Sequence, residues 1–153
     1  MNTNTRTNGQ DNLKLLNQNN ESVSLSDFKN HKILLWFFPK ANTPGWTVQG
    51  CGFRDEFQKF KDKNITILGI SADSPLKQKK FVEKFNFPYQ MLCDESKEMI
   101  KNYKAWGLKK FMGREYEGIH RISYLINEEG YIEFIFDKVK TKTHALDVLN
   151  EVS

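Results

Sequence analysis

With 153 residues the chain is long enough for one domain that buries roughly two-thirds of its unfolded surface, and too short for two. Hydrophobic residues make up 39% of it and aromatic residues 13%, with 12 Phe, so a packed core is well supplied and a disordered chain is excluded. The net charge of +4 is modest and the lysines are spread among acids, which reads as solvated helix faces and no nucleic-acid surface.

The opening residues, MNTNTRTNGQDN, are polar and rich in Asn and Thr. They lack the apolar segment of a secretory signal, and no stretch reaches the apolar length of a transmembrane helix. The expectation is a soluble, cytoplasmic protein with no membrane partner, made of a disordered polar tail over 1–11 and a single domain over 12–153. Two cysteines do not make a disulfide scaffold; in a reducing compartment they are free thiols or a redox pair.

Taken in chain order, 13–16 and 22–25 read as short strands around Asn17-Gln18-Asn19-Asn20, because Asn tolerates the left-handed backbone of a tight hairpin. A helical turn over 26–29 is predicted, capped by Ser26 or Asp27. Residues 33–38, ILLWFF, form a fully buried strand that stops at Pro39, which cannot donate to a ladder. A turn-rich loop follows, and a helix is predicted from about Trp46 to about 61, with Phe53, Phe57 and Phe60 at i, i+4 and i+7 facing the core. Residues 64–70 form a second buried strand. Ser74 and Pro75 are the N-cap and first residue of a helix that turns Phe81, Val82 and Phe85 inward and ends near Asn86.

An extended piece over 89–92 and a short helix over 96–103 come next, followed by a polar loop over 109–118. A hairpin is predicted from 119–126 and 131–137, turning at Asn127-Glu128-Glu129-Gly130. The last element is a helix over 143–152, capped by Thr141 or Thr143 and apolar at Leu146 and Leu149. This order predicts a thioredoxin-like α/β three-layer sandwich with a small N-terminal β-hairpin.

A buried strand, a short loop and a helix N-terminus form a common place for chemistry, since the first-turn N–H groups are unpaired and stabilise negative charge. Here that stretch also carries a resemblance. Pro39, Thr43 and position 46 fall on the spacing P-x-x-x-T-x-x-C, and NTPGxTxxxCxFRD, read from Asn42 to Asp55, resembles the bacterioferritin-comigratory, or Q-type, branch of the peroxiredoxins. The resemblance covers roughly 13–150. It implies a thioredoxin-dependent peroxidase that reduces hydrogen peroxide and organic hydroperoxides, with thioredoxin or a similar dithiol as reductant. It implies no cofactor or metal, and a monomer or weak homodimer. Carried over residue by residue, it makes position 46 the peroxidatic site and Cys51 the resolving thiol. Thr43 and Arg121 hold the thiolate and the peroxide, and Pro39, Pro44 and Gly45 line the pocket.

Trp46 departs from that pattern, because an indole has one N–H donor and no nucleophile. Three readings stay open: an engineered replacement, a natural pseudo-peroxidase acting through binding or oligomerisation, or a UGA codon that specifies selenocysteine. In the second, Trp46 plugs the pocket and stacks on Arg121. In an intact helix, residues 46 and 51 lie on the order of 8–9 Å apart, beyond disulfide reach, so the implied resolving step needs local unwinding. Gly50 and Gly52 weaken the helix at that place. With no partner at 46, Cys51 is either a half-buried thiol or an intermolecular redox group. Cys93, ending an apolar run, reads as a buried structural thiol. His31, His120 and His144 have no metal-ligand spacing. Trp36 is expected in the core, Trp106 in a surface cluster, and Arg54 with Asp55 as a structural ion pair.

Overall fold

In the computed structural model, the described residues are 14–28, 30–39, 44–137 and 139–152, with the side chains of 44–46 and 111 left out of the description. The chain opens with β1 (Leu15–Asn17) and β2 (Ser22–Val23), then a 3-10 turn (Leu25–Phe28). The central part is β3 (Lys32–Phe37), α1 (Pro44–Asp55), α2 (Phe57–Asp62), β4 (Ile65–Ser71), α3 (Pro75–Phe85), β5 (Gln90–Cys93) and α4 (Glu98–Asn102). It closes with β6 (Trp106–Phe111), β7 (Arg114–Ile119), β8 (Ile122–Ile126), β9 (Ile132–Phe136) and α5 (His144–Glu151).

Seven strands make one sheet in the order β2-β1-β5-β4-β3-β8-β9. The three inner strands β5, β4 and β3 are parallel, and β1 and β8 flank them antiparallel. Parallel strands buried on both faces need continuous apolar sequence, and β3 supplies it. Alternation sends Ile33, Leu35 and Phe37 into one core with Leu68, Ile70, Met99 and Ile100, on the α4 side. Leu34, Trp36 and Phe38 enter the other, with Phe53 of α1, Phe60 of α2, Phe81 of α3 and Val148 of α5. Helices on both faces of a central sheet give the three layers expected of the thioredoxin-like fold.

The local signals hold. Asn20 takes a φ of 61° in the β1–β2 turn. Ser74 caps α3, its hydroxyl accepting from the Lys77 N–H, with Pro75 at the first position, and Asn86 closes the helix in the left-handed conformation. Arg54 and Asp55 pair at 3.1 Å.

Four expectations are corrected. The 3-10 turn starts one residue early: Ser24 is its cap, its N–H donating to Asp27 Oδ2 at 2.9 Å. The single helix to about 61 is two, divided at Glu56, whose φ of −101° and ψ of 10° leave the α-helical region. In α5 the buried face is His144, Ala145, Val148 and Leu149, whereas Leu146 is exposed. The polar loop over 109–118 is instead most of a two-stranded ribbon, β6 against β7. Its tip, Met112 and Gly113, has φ of 51° and 80°, the two positive values of a tight hairpin turn. Both strands are largely exposed beyond their base, so no apolar alternation marks them.

Candidate functional site

The site is assembled where β3 ends. Phe38 continues the strand for one more bond, its N–H donating to Ile70 O at 2.9 Å, and Pro39 then removes the next donor. The chain re-enters regular structure at Pro44, whose fixed φ suits a first helical position. Position 46 is the third residue of α1, so its backbone N–H is among the unpaired groups at the positive end of a 12-residue helix. Thr43 lies outside the described residues, as do the side chains of Pro44 and Trp46 and with them any Trp46–Arg121 stacking.

Arg121 comes to this place through the sheet. β8 runs antiparallel to β3 with Ile122 opposite Phe37, so one further step sets Arg121 opposite Phe38. Arg121 therefore stands at the same end of the sheet as Pro39 and the start of α1. It is half-buried, and burial lowers its pKa. Lys109, on β6, is close enough to be affected by it: burial lowers the Lys109 pKa, and the Arg121 charge lowers it further.

Cys51 is not brought to position 46. Both lie in one unbroken helix, five residues and thus about 7.5 Å of rise apart. The Cys51 thiol is half-buried; burial raises its pKa, Arg54 beside it lowers it in part, and Asp55 adds a smaller upward push. Cys93, at the end of β5, is buried and its pKa is pushed up to about 12 by burial, with Glu95 and Asp73 adding to it. Neither thiol is poised as a thiolate near neutral pH. Among the described residues no three His, Cys, Asp or Glu side chains group as a metal site.

One residue was missed from sequence. Gln49 is 1% exposed, and neither its Nε2 nor its Oε1 has a hydrogen-bond partner among the described residues. Such an orphaned amide costs on the order of 1–3 kcal/mol per group, which a bound polar ligand would recover. It follows position 46 by three residues, the spacing that puts side chains on one helix face. The available signal was a Gln four residues before Phe53, on the stripe that enters the core. Arg121 and a helix N-terminus stand at one end of the sheet, an arrangement that favours a small anionic group at the end of β3.

The comparisons agree on the likeness. The model of the AhpC/TSA family matches residues 10–135. A putative peroxiredoxin bcp of Haemophilus influenzae is 49% identical over 130 residues, covering 85% of this chain and 84% of that one. The peroxiredoxin Bcp of Escherichia coli K12 is 46% identical over 136 residues, covering 89% and 87%. Among solved structures, a Cys-to-Ser mutant of Xylella fastidiosa PrxQ superposes with a TM-score of 0.93 at 30% identity, covering 99% of this chain and 95% of that one. A peroxiredoxin Q mutant of Xanthomonas campestris does so with 0.92 at 26% identity, covering 99% and 96%.

Proposed function

This chain belongs to the AhpC/TSA family and groups with its Bcp and Q-type peroxiredoxins, and from that premise we propose that its site is built for the reduction of hydroperoxides by a thiol or selenol at position 46. The observation that supports the reading most is the meeting of Arg121 and the start of α1 at one end of the sheet. The helix N-terminus and the guanidinium both favour an anionic nucleophile at 46 over its protonated form. The anion attacks one peroxide oxygen, the O–O bond breaks, and the leaving alkoxide or hydroxide takes a proton. Arg121, Thr43 and the Gln49 amide supply the charge and hydrogen bonds that this developing negative charge needs.

Position 46 is thereby left as a sulfenic or selenenic acid. The Cys51 thiol condenses with it, expelling water and forming the S–S or Se–S bond, once α1 unwinds between the two. A dithiol such as thioredoxin then reduces that bond by exchange, becoming a disulfide itself. With the indole of Trp46 the first step has no nucleophile, so turnover requires Cys or selenocysteine at that position. The second reading follows from Trp46 itself: a peroxiredoxin-fold protein without redox activity, acting through binding.

Peroxide consumption with a thioredoxin system, measured for the chain as written beside Trp46→Cys, tests the proposal. Activity confined to Trp46→Cys is expected. Activity in neither protein overturns the peroxidase reading and leaves the binding protein. Turnover by the Trp46 chain overturns the assignment of position 46 and makes Cys51 the working thiol.

A further inference from the structure

Two neighbouring segments hold α1 around Cys51. Phe87 and Tyr89 meet it at Gly50, and Ala145 of α5 lies 3.8 Å from where a Cβ on Gly52 would stand. Residues two apart in an α-helix are about 200° apart around its axis, so these contacts fall on nearly opposite faces. One residue further, the ring of Phe53 meets that of His144, the first residue of α5, with centroids 5.5 Å apart and planes at 76°.

Ser123 ties the start of α5 to the sheet. Its Oγ is within 2.8 Å of His144 Nε2, and both residues are buried. Ser123 belongs to β8 and pairs with Trp36 of β3, two residues after Arg121. Phe136 of β9 meets the same imidazole, with centroids 5.5 Å apart. A neutral ring suits this place and an imidazolium does not. Burial removes the water that a charge needs, and the positive end of α5 repels a cation at its first residue. Burial accordingly lowers the His144 pKa from 6.5 to about 4.

The groups packed on the ring from other elements, Phe53 of α1, Ser123 of β8 and Phe136 of β9, do not titrate near neutral pH. The titratable residues beside them along the chain are Cys51 and Arg54, Arg121 and Tyr124, and Asp137. Arg54 donates to Phe85 O at 2.8 Å. On α5 itself Asp147 favours the proton in part, while its carboxylate accepts from Thr143 Oγ1 at 3.0 Å. We propose that the Ser123–His144 pair seats α5 against α1 and so sets how readily the Cys51 turn unwinds, and that a proton on the His144 ring frees it. His144 is then a positioning residue for the resolving step, acting through α5. This deepens the peroxidase reading and rests on Cys51 being its resolving thiol.

Amide exchange of the chain as written, corrected for intrinsic rates and measured at pH 7, 5.5 and 4.5, tests this. With a pKa of about 4 when seated and 6.5 when freed, the released state should gain about eightfold in population from pH 7 to 5.5. The α1 amides of 50–54 are expected to open locally, more often than those of β3 and β4, and to show that gain. In His144→Asn they should not. Ser123→Ala, which removes the tie and keeps the ring, should raise α1 opening at pH 7 more than it raises opening of the sheet. Local α1 opening that stays constant with pH in the chain as written overturns the proposal, as does a gain that persists in His144→Asn. Exchange of α1 that only follows the sheet, with pH or in Ser123→Ala, overturns it equally.

A second arm reads the resolving step in the Trp46→Cys background, where mass spectrometry follows the condensation of the oxidised position 46 with Cys51. Acid slows this step in any variant by protonating Cys51, so the comparison is between slopes. From pH 7 to 5.5 the rate should fall several-fold less with His144 than with His144→Asn. Equal slopes overturn the proposal. If Trp46→Cys consumes no peroxide at all, the peroxidase reading fails by itself, and amide exchange alone decides whether His144 holds α1.

Discussion

The hydroxyl of Tyr89 donates to the backbone carbonyl of Gly50 at 2.8 Å, joining the approach to β5 to the turn of α1 that precedes Cys51. Phe87 packs against the same glycine, and Arg54 Nη1 donates to Phe85 O at 2.8 Å, one turn further along the helix. The segment from Phe85 to Tyr89 thus grips α1 on the side where it must loosen for Cys51 to reach position 46. Burial raises the Tyr89 pKa far above the ordinary phenol range, and Cys51 adds to it, so the hydroxyl remains a donor at any working pH.

Removing that donor should loosen the helix. Tyr89→Phe leaves the ring and its stacking on Phe87, with centroids 5.2 Å apart, and deletes one buried hydrogen bond. We expect a loss of about 1–2 kcal/mol in urea unfolding. Amide exchange over residues 50–54 should rise more than the global stability loss accounts for. Uniform change across the sheet and α1 would show that Tyr89 stabilises the whole fold and does not gate this helix.

The two glycines around Cys51 should respond in opposite ways. A Cβ on Gly50 would lie 2.7 Å from Phe87 Cζ, so Gly50→Ala overpacks and should destabilise by about 1–3 kcal/mol despite the better helix propensity of Ala. At Gly52 the nearest atom is Ala145 Cβ at 3.8 Å, an ordinary contact. Gly52→Ala should therefore stabilise by about 0.5–1 kcal/mol. Paired thermal melts check both signs.

The thiols should be slow. Burial holds Cys51 above the ordinary thiol range and Cys93 at about 12, so iodoacetamide at neutral pH should modify Cys51 more slowly than free cysteine and leave Cys93 untouched until the chain unfolds. Mass spectrometry of timed samples separates the two. Rapid labelling of Cys51 in the native protein would mean that α1 already opens without an oxidised partner at 46.

Stability should fall with acid in a defined window. His144 is buried, its Nε2 within 2.8 Å of Ser123 Oγ, and its ring meets those of Phe53 and Phe136 edge-on. Burial lowers its pKa from 6.5 to about 4, with Asp147 opposing in part. Between those values the unfolded chain binds the proton and the folded chain does not, so stability is complete above pH 6.5 and declines as pH falls towards 4. The window amounts to about 3 kcal/mol. Urea titrations at pH 7, 5.5 and 4.5 should show the decline, and His144→Asn should flatten it.

The sequence alone determined the elements whose signals are short-range. ILLWFF could only be a strand buried on both faces, Pro39 had to end it, and Ser74-Pro75 and Asn86 marked α3 at both ends. The stretch from Asn42 to Asp55 carried the family through residue types and spacing. Tertiary structure decided what depends on neighbours distant in the chain. The β6–β7 ribbon escaped notice because its exposed strands need no apolar alternation, and only its paired register identifies it. Arg121 is named by a motif, but its place beside Phe38 follows from the pairing of β8 with β3. Gly50 reads as a helix weakener until Phe87 and Tyr89 show that no side chain fits there. The Arg121 charge reaches Lys109 for the same reason: helix period and capping act over a turn or two, whereas strand pairing and burial join residues by sheet position, which sequence spacing does not encode.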